Sequence, residues 1–268
     1  MINIKNLSVK YKETFALDNV STTIPKGDLV AIVGANGAGK STLLKSIMGQ
    51  LKPISGSIEL GHLTPKDIAY LPQSHQIDRQ FPITVREFVS AGAWHRIGFW
   101  KSFTNNEQTR LINALDKVNL SGLEERQISA LSGGQFQRML FARMLMQDAQ
   151  ILLLDEPFAA IDAQTTMDLM AVIDDCQKQQ KTIITVVHDL SLVTHFFPSV
   201  ILLAKHLIAS GDTATVMTGE NLSKAGYQHL AYPTQSTASS GSPVNKDAAN
   251  EKLAETCSNP AHYKEGTL

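Results

Sequence analysis

Apolar and polar residues alternate along the first two dozen positions. "INIKNLSVKY" (2–11) and "NVSTTIP" (19–25) keep a period of two, which predicts half-buried strands. After a turn at "PKG", the stretch "DLVAIVG" is almost wholly apolar, as in a strand buried on both faces, and it runs into a glycine loop. From Lys40 the pattern changes: Leu43, Leu44, Ile47 and Met48 recur at helical spacing, and Gly49 supplies a stop. "DIAYLPQ" predicts another short strand, ending at Gln73.

Between about 84 and 146 the buried-strand runs disappear and apolar residues repeat with helical period, so this segment reads as a helical insertion. "ILLLDE" restores the strand signal. A helix over about 163–179, a strand at "TIITVVH" and a final apolar run at "SVILLAKHLIAS" follow. Strands alternating with helices predict an α/β fold with a mainly parallel sheet, whose ligands gather at the strand C-terminal ends. From 231 to 268 the chain is polar, rich in small residues and without period, the composition of a flexible tail.

Bulk composition narrows the classes. A hydrophobic fraction of 43% and a charged fraction of 18% in 268 residues describe an ordinary globular protein with a full core. A formal net charge of −1 argues against a nucleic-acid partner, because phosphate backbones call for a basic face. The two cysteines, Cys176 and Cys257, make no disulfide framework and suit a reducing compartment; Cys176 reads as a small core residue. Cys257 and His262 fall in the tail and are too few for a metal site. The N-terminus lacks a signal-peptide pattern, and no apolar run approaches the ~18 residues of a membrane span. The expectation is a cytoplasmic chain whose membrane role, if any, runs through a partner.

Three stretches carry chemistry. In "GANGAGKST", Gly34, Gly37 and Gly39 let successive backbone N–H groups turn inward on a phosphate. Lys40 reaches the β- and γ-oxygens, and the Ser41 hydroxyl can ligate Mg²⁺. Asp155 emerges at the end of "ILLLDE" to hold Mg²⁺ through water. Glu156 follows on the opposite face of an extended chain, placed to orient and deprotonate a water. Gln73 and His188 also sit where strands run out, one able to reach the metal or its water, the other to donate to a γ-phosphate. The third stretch, "ISALSGGQFQR", opens a helix with Ser132, Gly133, Gly134 and Gln135. Such a start is itself suited to an anion. One chain thus holds two helix N-termini built for the same kind of ligand.

Together these residues resemble the ATP-binding-cassette (ABC) ATPases, over about residues 2–226. The family's motifs occur in the family's order: Walker A at "GANGAGKST", the Q-loop glutamine at Gln73, the signature at "LSGGQ", Walker B at "ILLLDE", the D-loop "AAID" ending at Asp162, and the switch histidine at His188. A serine often replaces the first alanine of "AAID". The resemblance implies a P-loop NTPase fold: a RecA-like, mainly parallel sheet, an antiparallel β part at the N-terminus and an inserted helical subdomain. It implies an ATPase domain over 1–230, with the subdomain at about 84–146, and the tail at 231–268.

The resemblance also implies ATP and Mg²⁺ as cofactors. Tyr11 would stack on adenine, and Gly34, Asn36, Gly37, Ala38, Gly39, Lys40, Ser41 and Thr42 would surround the phosphates. Ser41, Gln73 and Asp155 would serve the metal. In this family two cassettes pair head to tail, and each ATP lies between the P-loop of one and the signature of the other, so the implied partner is a second copy. "DEPFAAID" and "HDLSLV" look most like importers of zinc or manganese, which implies a membrane permease, an extracytoplasmic binding protein and a peripheral place on the cytoplasmic face of the membrane. "TVREFVSAGAWHRIGFW", with Phe88, Trp94 and Trp100, lies where the family receives the permease. The nearest alternative is an iron-chelate or cobalamin importer, then an exporter. A soluble cassette acting on ribosomes or DNA lacks the expected basic surplus or second cassette, and a small-molecule kinase leaves "LSGGQ" without a task.

Overall fold

The computed structural model describes residues 1–98 and 103–227. Trp100 and the 231–268 tail lie outside the described residues.

Two sheets form the frame. β1 (Ile2–Tyr11) and β2 (Thr14–Ile24) make an antiparallel hairpin, and β4 (Ser55–Glu59) pairs with the other edge of β1. Ile2, Ile4, Leu7 and Val9 of β1 turn inward; the period of two is interrupted once, between Ile4 and Leu7, where a bulge at Asn6 with φ of 48° returns Leu7 to the buried face. β4 escapes the sequence reading because "SGSIE" has no apolar alternation: only Ile58 is even half-buried.

The second sheet has the order β5-β6-β7-β3-β8-β9, comprising β5 (Ile68–Leu71), β6 (Ile151–Asp155), β7 (Thr182–Val186), β3 (Leu29–Val33), β8 (Ser199–Ala204) and β9 (His206–Asp212). Every neighbouring pair from β5 to β8 is parallel. The last run, read as one apolar stretch, is a hairpin: β9 turns back antiparallel on β8 at Lys205, whose φ of 64° reverses the chain. Apart from this edge strand the sheet is of the mainly parallel α/β class.

Residues of the central strands alternate between two apolar layers. Val30, Ile32, Leu153, Ile184 and Ile201 meet the small sheet and α1 (Lys40–Ile47), while Ala31, Val33, Leu152, Leu154 and Ile183 meet the other helices. Burial on both faces explains why these strands read as unbroken apolar runs. α6 (Ala163–Lys178) and α7 (Leu190–Phe196) belong to this second layer, and Cys176 of α6 is buried there with a free thiol.

Between β5 and β6 the chain forms α2 (Val85–Ser90), α3 (Trp94–Ile97), α4 (Asn105–Lys117) and α5 (Gly133–Met146). Reciprocal capping by Thr84 and Glu87 starts α2, and Thr104 caps α4. Arg96 ties three of these helices together: Nε and Nη2 donate to the Glu107 carboxylate at 3.1 and 2.5 Å, and Nη1 donates to Met146 O at 3.0 Å. Arg138 of α5 donates to Asp168 of α6 at 2.6 Å.

β7 lies between β6 and β3, so the loops leaving these three strands emerge side by side at one sheet edge. Asp155 closes β6, while Lys40 and His188 follow the ends of β3 and β7.

Candidate active site

The glycine loop owes its shape to steric demand. Gly37 and Gly39 have φ of 80° and 96°, open to glycine at little cost. A Cβ on Gly34 would lie 2.4 Å from Leu203 O, and one on Gly39 would lie 2.5 Å from Ala16 O. The loop is therefore clamped between β8 and β2. Asn36 is exposed at its crest; Ala38 and Thr42 are buried beneath it. Tyr11 is exposed at the end of the β1–β2 hairpin, opposite Thr14.

Lys40 folds back over this loop. Its Nζ donates to Gly34 O at 2.9 Å and Ala35 O at 3.0 Å. Burial lowers its pKa, while Glu156 and Asp155 pull it back up. One residue on, Ser41 Oγ donates to Asp155 Oδ1 at 3.1 Å, joining α1 to the end of β6. Asp155 is fully buried, and burial raises its pKa against the hydrogen bonds that favour the carboxylate. The second such bond comes from Tyr70, whose hydroxyl donates to Asp155 Oδ2 at 3.3 Å. Burial and the adjacent carboxylate push the Tyr70 phenol well above its ordinary value. Sequence reasoning missed Tyr70. Its signal is strand order: β5 neighbours β6 with Tyr70 opposite Leu153, and no local pattern reveals that pairing.

Glu156 departs from the extended conformation expected of it. Its φ is 53°, in the left-handed region that a non-glycine residue enters only at a cost. β6 ends at Asp155, so alternation along a strand does not decide where Glu156 points. Glu156 Oε1 stands 2.7 Å from His188 Nε2, and both side chains are partly open to solvent. Gln73, half-buried at the end of β5, accepts a hydrogen bond from Gln76 Nε2 at 3.2 Å through its Oε1; it makes none with Ser41 or Asp155.

The signature residues form a second group. Ser132 caps α5: its Oγ accepts from Gln135 N at 3.2 Å while Gln135 Oε1 accepts from Ser132 N at 3.1 Å. Asp162 caps α6, accepting from Thr165 N and Oγ1 at 2.8 and 2.7 Å, and those bonds hold its carboxyl below the usual range. The two helix starts face a common cleft of 480 Å³ lined by Ser132, Gly133, Gly134, Gln135 and Asp162. The backbone at Gly134 is close to α6: a Cβ there would lie 3.1 Å from Thr165 Oγ1. No P-loop residue lines this cleft.

A glycine loop clamped at a parallel-sheet edge, a lysine folded over it and a buried aspartate bonded to the next serine are the phosphate machinery of the P-loop nucleoside triphosphatases. A family model described as ABC transporter matches residues 17–159. The manganese transport system ATP-binding protein MntB of Listeria monocytogenes is 41% identical over 225 residues, covering 82% of this chain and 94% of that protein. A solved structure assigned to the metal-chelate type of ABC transporter, in an inward-facing conformation, superposes with a TM-score of 0.75 at 29% identity, covering 84% of this chain and 88% of that one. The ATP-binding cassette MJ0796, solved as a dimer in a post-hydrolysis state with ADP and Pi, gives 0.69 at 26% identity over 80% of this chain and 99% of that one. The chain belongs to the ABC transporter family. It is an ATP-hydrolysing subunit of that family, and ATP is its nucleotide.

Proposed function

We propose that this chain energises uptake of manganese or zinc, acting as a pair of copies on the cytoplasmic face of a membrane beneath a separate permease. An extracytoplasmic binding protein would deliver the ion. The naming of the Listeria relative as a manganese transport protein supports the substrate class. Among the described residues no helix is long and apolar enough to cross a membrane; in this reading a separate subunit carries the ion.

The observation that carries the reading is the separation of the two anion-suited groups. The P-loop, Asp155 and the Glu156–His188 pair gather at one sheet edge, while the start of α5 opens on a cleft of its own. In a head-to-tail pair, the α5 start of one copy faces the nucleotide held by the P-loop of the other. A helix N-terminus carries about half a positive charge, so the second start offsets the triphosphate's charge from the far side. ATP then joins two copies and hydrolysis parts them.

Within one copy the roles follow from placement. The loop amides and Lys40 hold the β- and γ-phosphates, and Tyr11 offers its ring to adenine. Ser41 Oγ and the Asp155 carboxylate, 3.1 Å apart, are the hard oxygen donors that Mg²⁺ takes, so they fit that ion. When bound, Mg²⁺ supplies positive charge at the β- and γ-oxygens. Glu156 orients the attacking water and takes its proton; His188 fixes the carboxylate for that task. Gln73, half-buried just beyond the end of β5, would offer its amide to water held by that ion. Asp162 shapes the signature cleft. We assign residues 1–230 to the ATPase domain, with 84–146 as its helical subdomain.

The permease docks on the helical side, near Trp94. That side chain is 64% exposed, whereas Phe88 is buried. Radiolabelled manganese and zinc uptake in a deletion strain tests the whole reading. The wild-type gene should restore uptake of one ion and Lys40→Ala should not; uptake of both ions unaffected by the deletion would remove the substrate assignment.

A further inference from the structure

The loop between β5 and α2 is tied to the start of α5 at two points. Its far end is pinned by backbone bonds: Ile128 N donates to Ile83 O at 3.1 Å, and Val85 N donates to Arg126 O at 2.9 Å. A single helical turn, Ile128–Ala130, then leads to Leu131. The second tie is a side chain. Half-buried Arg79 donates from Nη2 to Leu131 O at 2.5 Å, and its Cζ lies 4.5 Å from the centroid of the buried Phe136 ring. Arg79 forms no ion pair among the described residues, so its charge stays unneutralised beside the first turn of α5. A cation at a helix N-terminus opposes the helix dipole, so helix stability alone gives no reason for this placement.

The Leu131 carbonyl and the Ser132 N–H belong to one rigid peptide plane. Gln135 Oε1 accepts from that N–H at 3.1 Å, and Ser132 Oγ accepts from Gln135 N at 3.2 Å. Arg79 therefore holds the carbonyl side of the plane whose amide side closes the capping box. Rotating the plane would break both bonds. The next two residues, Gly133 and Gly134, lose the most freedom on entering a helix, so this start is soft without an external tie. A planar guanidinium stacked on Phe136 is stiff enough to supply one. Arg79 does not line the cleft at the α5 start, so it acts through the peptide and not by contact with what binds there.

We propose that Arg79 is a positioning residue of the signature: by fixing the Leu131–Ser132 peptide it presets the α5 start for the triphosphate held by the other copy. The proposal rests on the reading of the chain as a head-to-tail pair. It makes a distinction that the sequence hides. Arg79 stands six residues after Gln73, whose strand ends near its own P-loop edge, yet its two contacts are with Leu131 and Phe136. Arg79 thus serves the nucleotide of the partner copy, and its unneutralised charge lies on the side from which that copy's anion approaches the helix start. The cost of a cation beside the helix dipole is met when the triphosphate arrives.

The test uses the full chain carrying Glu156→Gln, with Arg79→Met or Arg79→Lys added. Met keeps a contact with the Phe136 ring and loses donor and charge, whereas Lys keeps both in weaker geometry. In dilute solution the Met variant should melt within about 4 °C of its parent and bind ATP within about twofold of it. The ATP concentration that half-converts it to dimer should rise about tenfold, with the Lys variant between. At an ATP level that pairs the parent but leaves the Met variant mostly unpaired, mixed dimers isolated through two tags separate the two sites. Arg79→Met with Lys40→Ala should occlude one ATP per dimer, because the first copy's P-loop meets the second's intact signature. Arg79→Met with Gly134→Asp should occlude none, because both signatures are then impaired. The reverse pattern would tie Arg79 to its own P-loop edge and overturn the proposal. Equal occlusion in the two mixtures, an unshifted ATP dependence, or a Met variant melting further below its parent would overturn it too. Each of these leaves the pairing reading intact when Lys40→Ala with Gly134→Asp occludes one ATP. If that control occludes none, the pairing reading falls, and this proposal with it.

Discussion

Asp155 is kept where its charge is least comfortable. Full burial raises its pKa, and among the described residues two side-chain donors, the hydroxyls of Ser41 and Tyr70, reach the carboxylate. A carboxyl whose folded pKa is raised weakens the fold above that pKa, and the penalty vanishes below the unfolded value. Asp155→Asn should therefore stabilise the isolated chain by about 1 kcal/mol at pH 7, and the gain should disappear as the pH falls below about 4. Hydrolysis should be lost at the same time, the usual trade between stability and a functional charge. Denaturant unfolding at the two pH values, with phosphate release at neutral pH, checks both halves. At Glu156 the strained backbone and the 2.7 Å contact to His188 place a carboxylate beside the phosphate edge. Glu156→Gln should lower turnover by about 100-fold or more while ATP affinity is kept, measured by single-turnover hydrolysis and equilibrium binding. A variant with near-normal turnover would remove Glu156 as the base.

At the scale of elements, Arg96 is the clearest point of tension. It is the only ion-pair partner of the Glu107 carboxylate among the described residues, and Glu107 is nearly buried. Arg96→Met should cost about 3 kcal/mol in urea unfolding, because the buried carboxylate stays behind without its counter-charge. What was legible in the sequence divides along the same lines as these forces. β3, β6 and β7 announce themselves because burial on both faces leaves an apolar run, and α1 and α5 because their start signals are local: glycine or serine, then a helical period. Long-range pairing leaves no such trace. β4 is an exposed edge strand held by backbone bonds to β1, and the β8–β9 hairpin turns on one left-handed lysine inside an otherwise continuous apolar stretch. Tyr70 and the Glu156–His188 contact depend on which strands lie side by side. The motif residues were readable one by one; their division into two clusters needed the fold.

At the scale of the whole molecule that division is the central claim. The P-loop edge and the signature cleft lie in one chain without sharing a lining residue, and the account assigns them to opposite sides of an ATP held by two copies. A direct measurement uses two variants that fail for different reasons, both carrying Glu156→Gln so that bound ATP persists. Lys40→Ala removes the lysine over the phosphates. Gly134→Asp puts a carboxylate at the start of α5, where even a Cβ lies 3.1 Å from Thr165 Oγ1, and circular dichroism verifies that the chain still folds. Alone, neither should trap nucleotide in a dimer. Mixed in equal amounts and purified as heterodimers through two different tags, they combine one doubly damaged site with one whole site. The account predicts one occluded ATP per mixed dimer, counted by radiolabelled nucleotide after gel filtration. Verified mixed dimers that occlude none would contradict it, and would mean that each chain's two anion-suited helix starts do not serve an ATP shared with its partner.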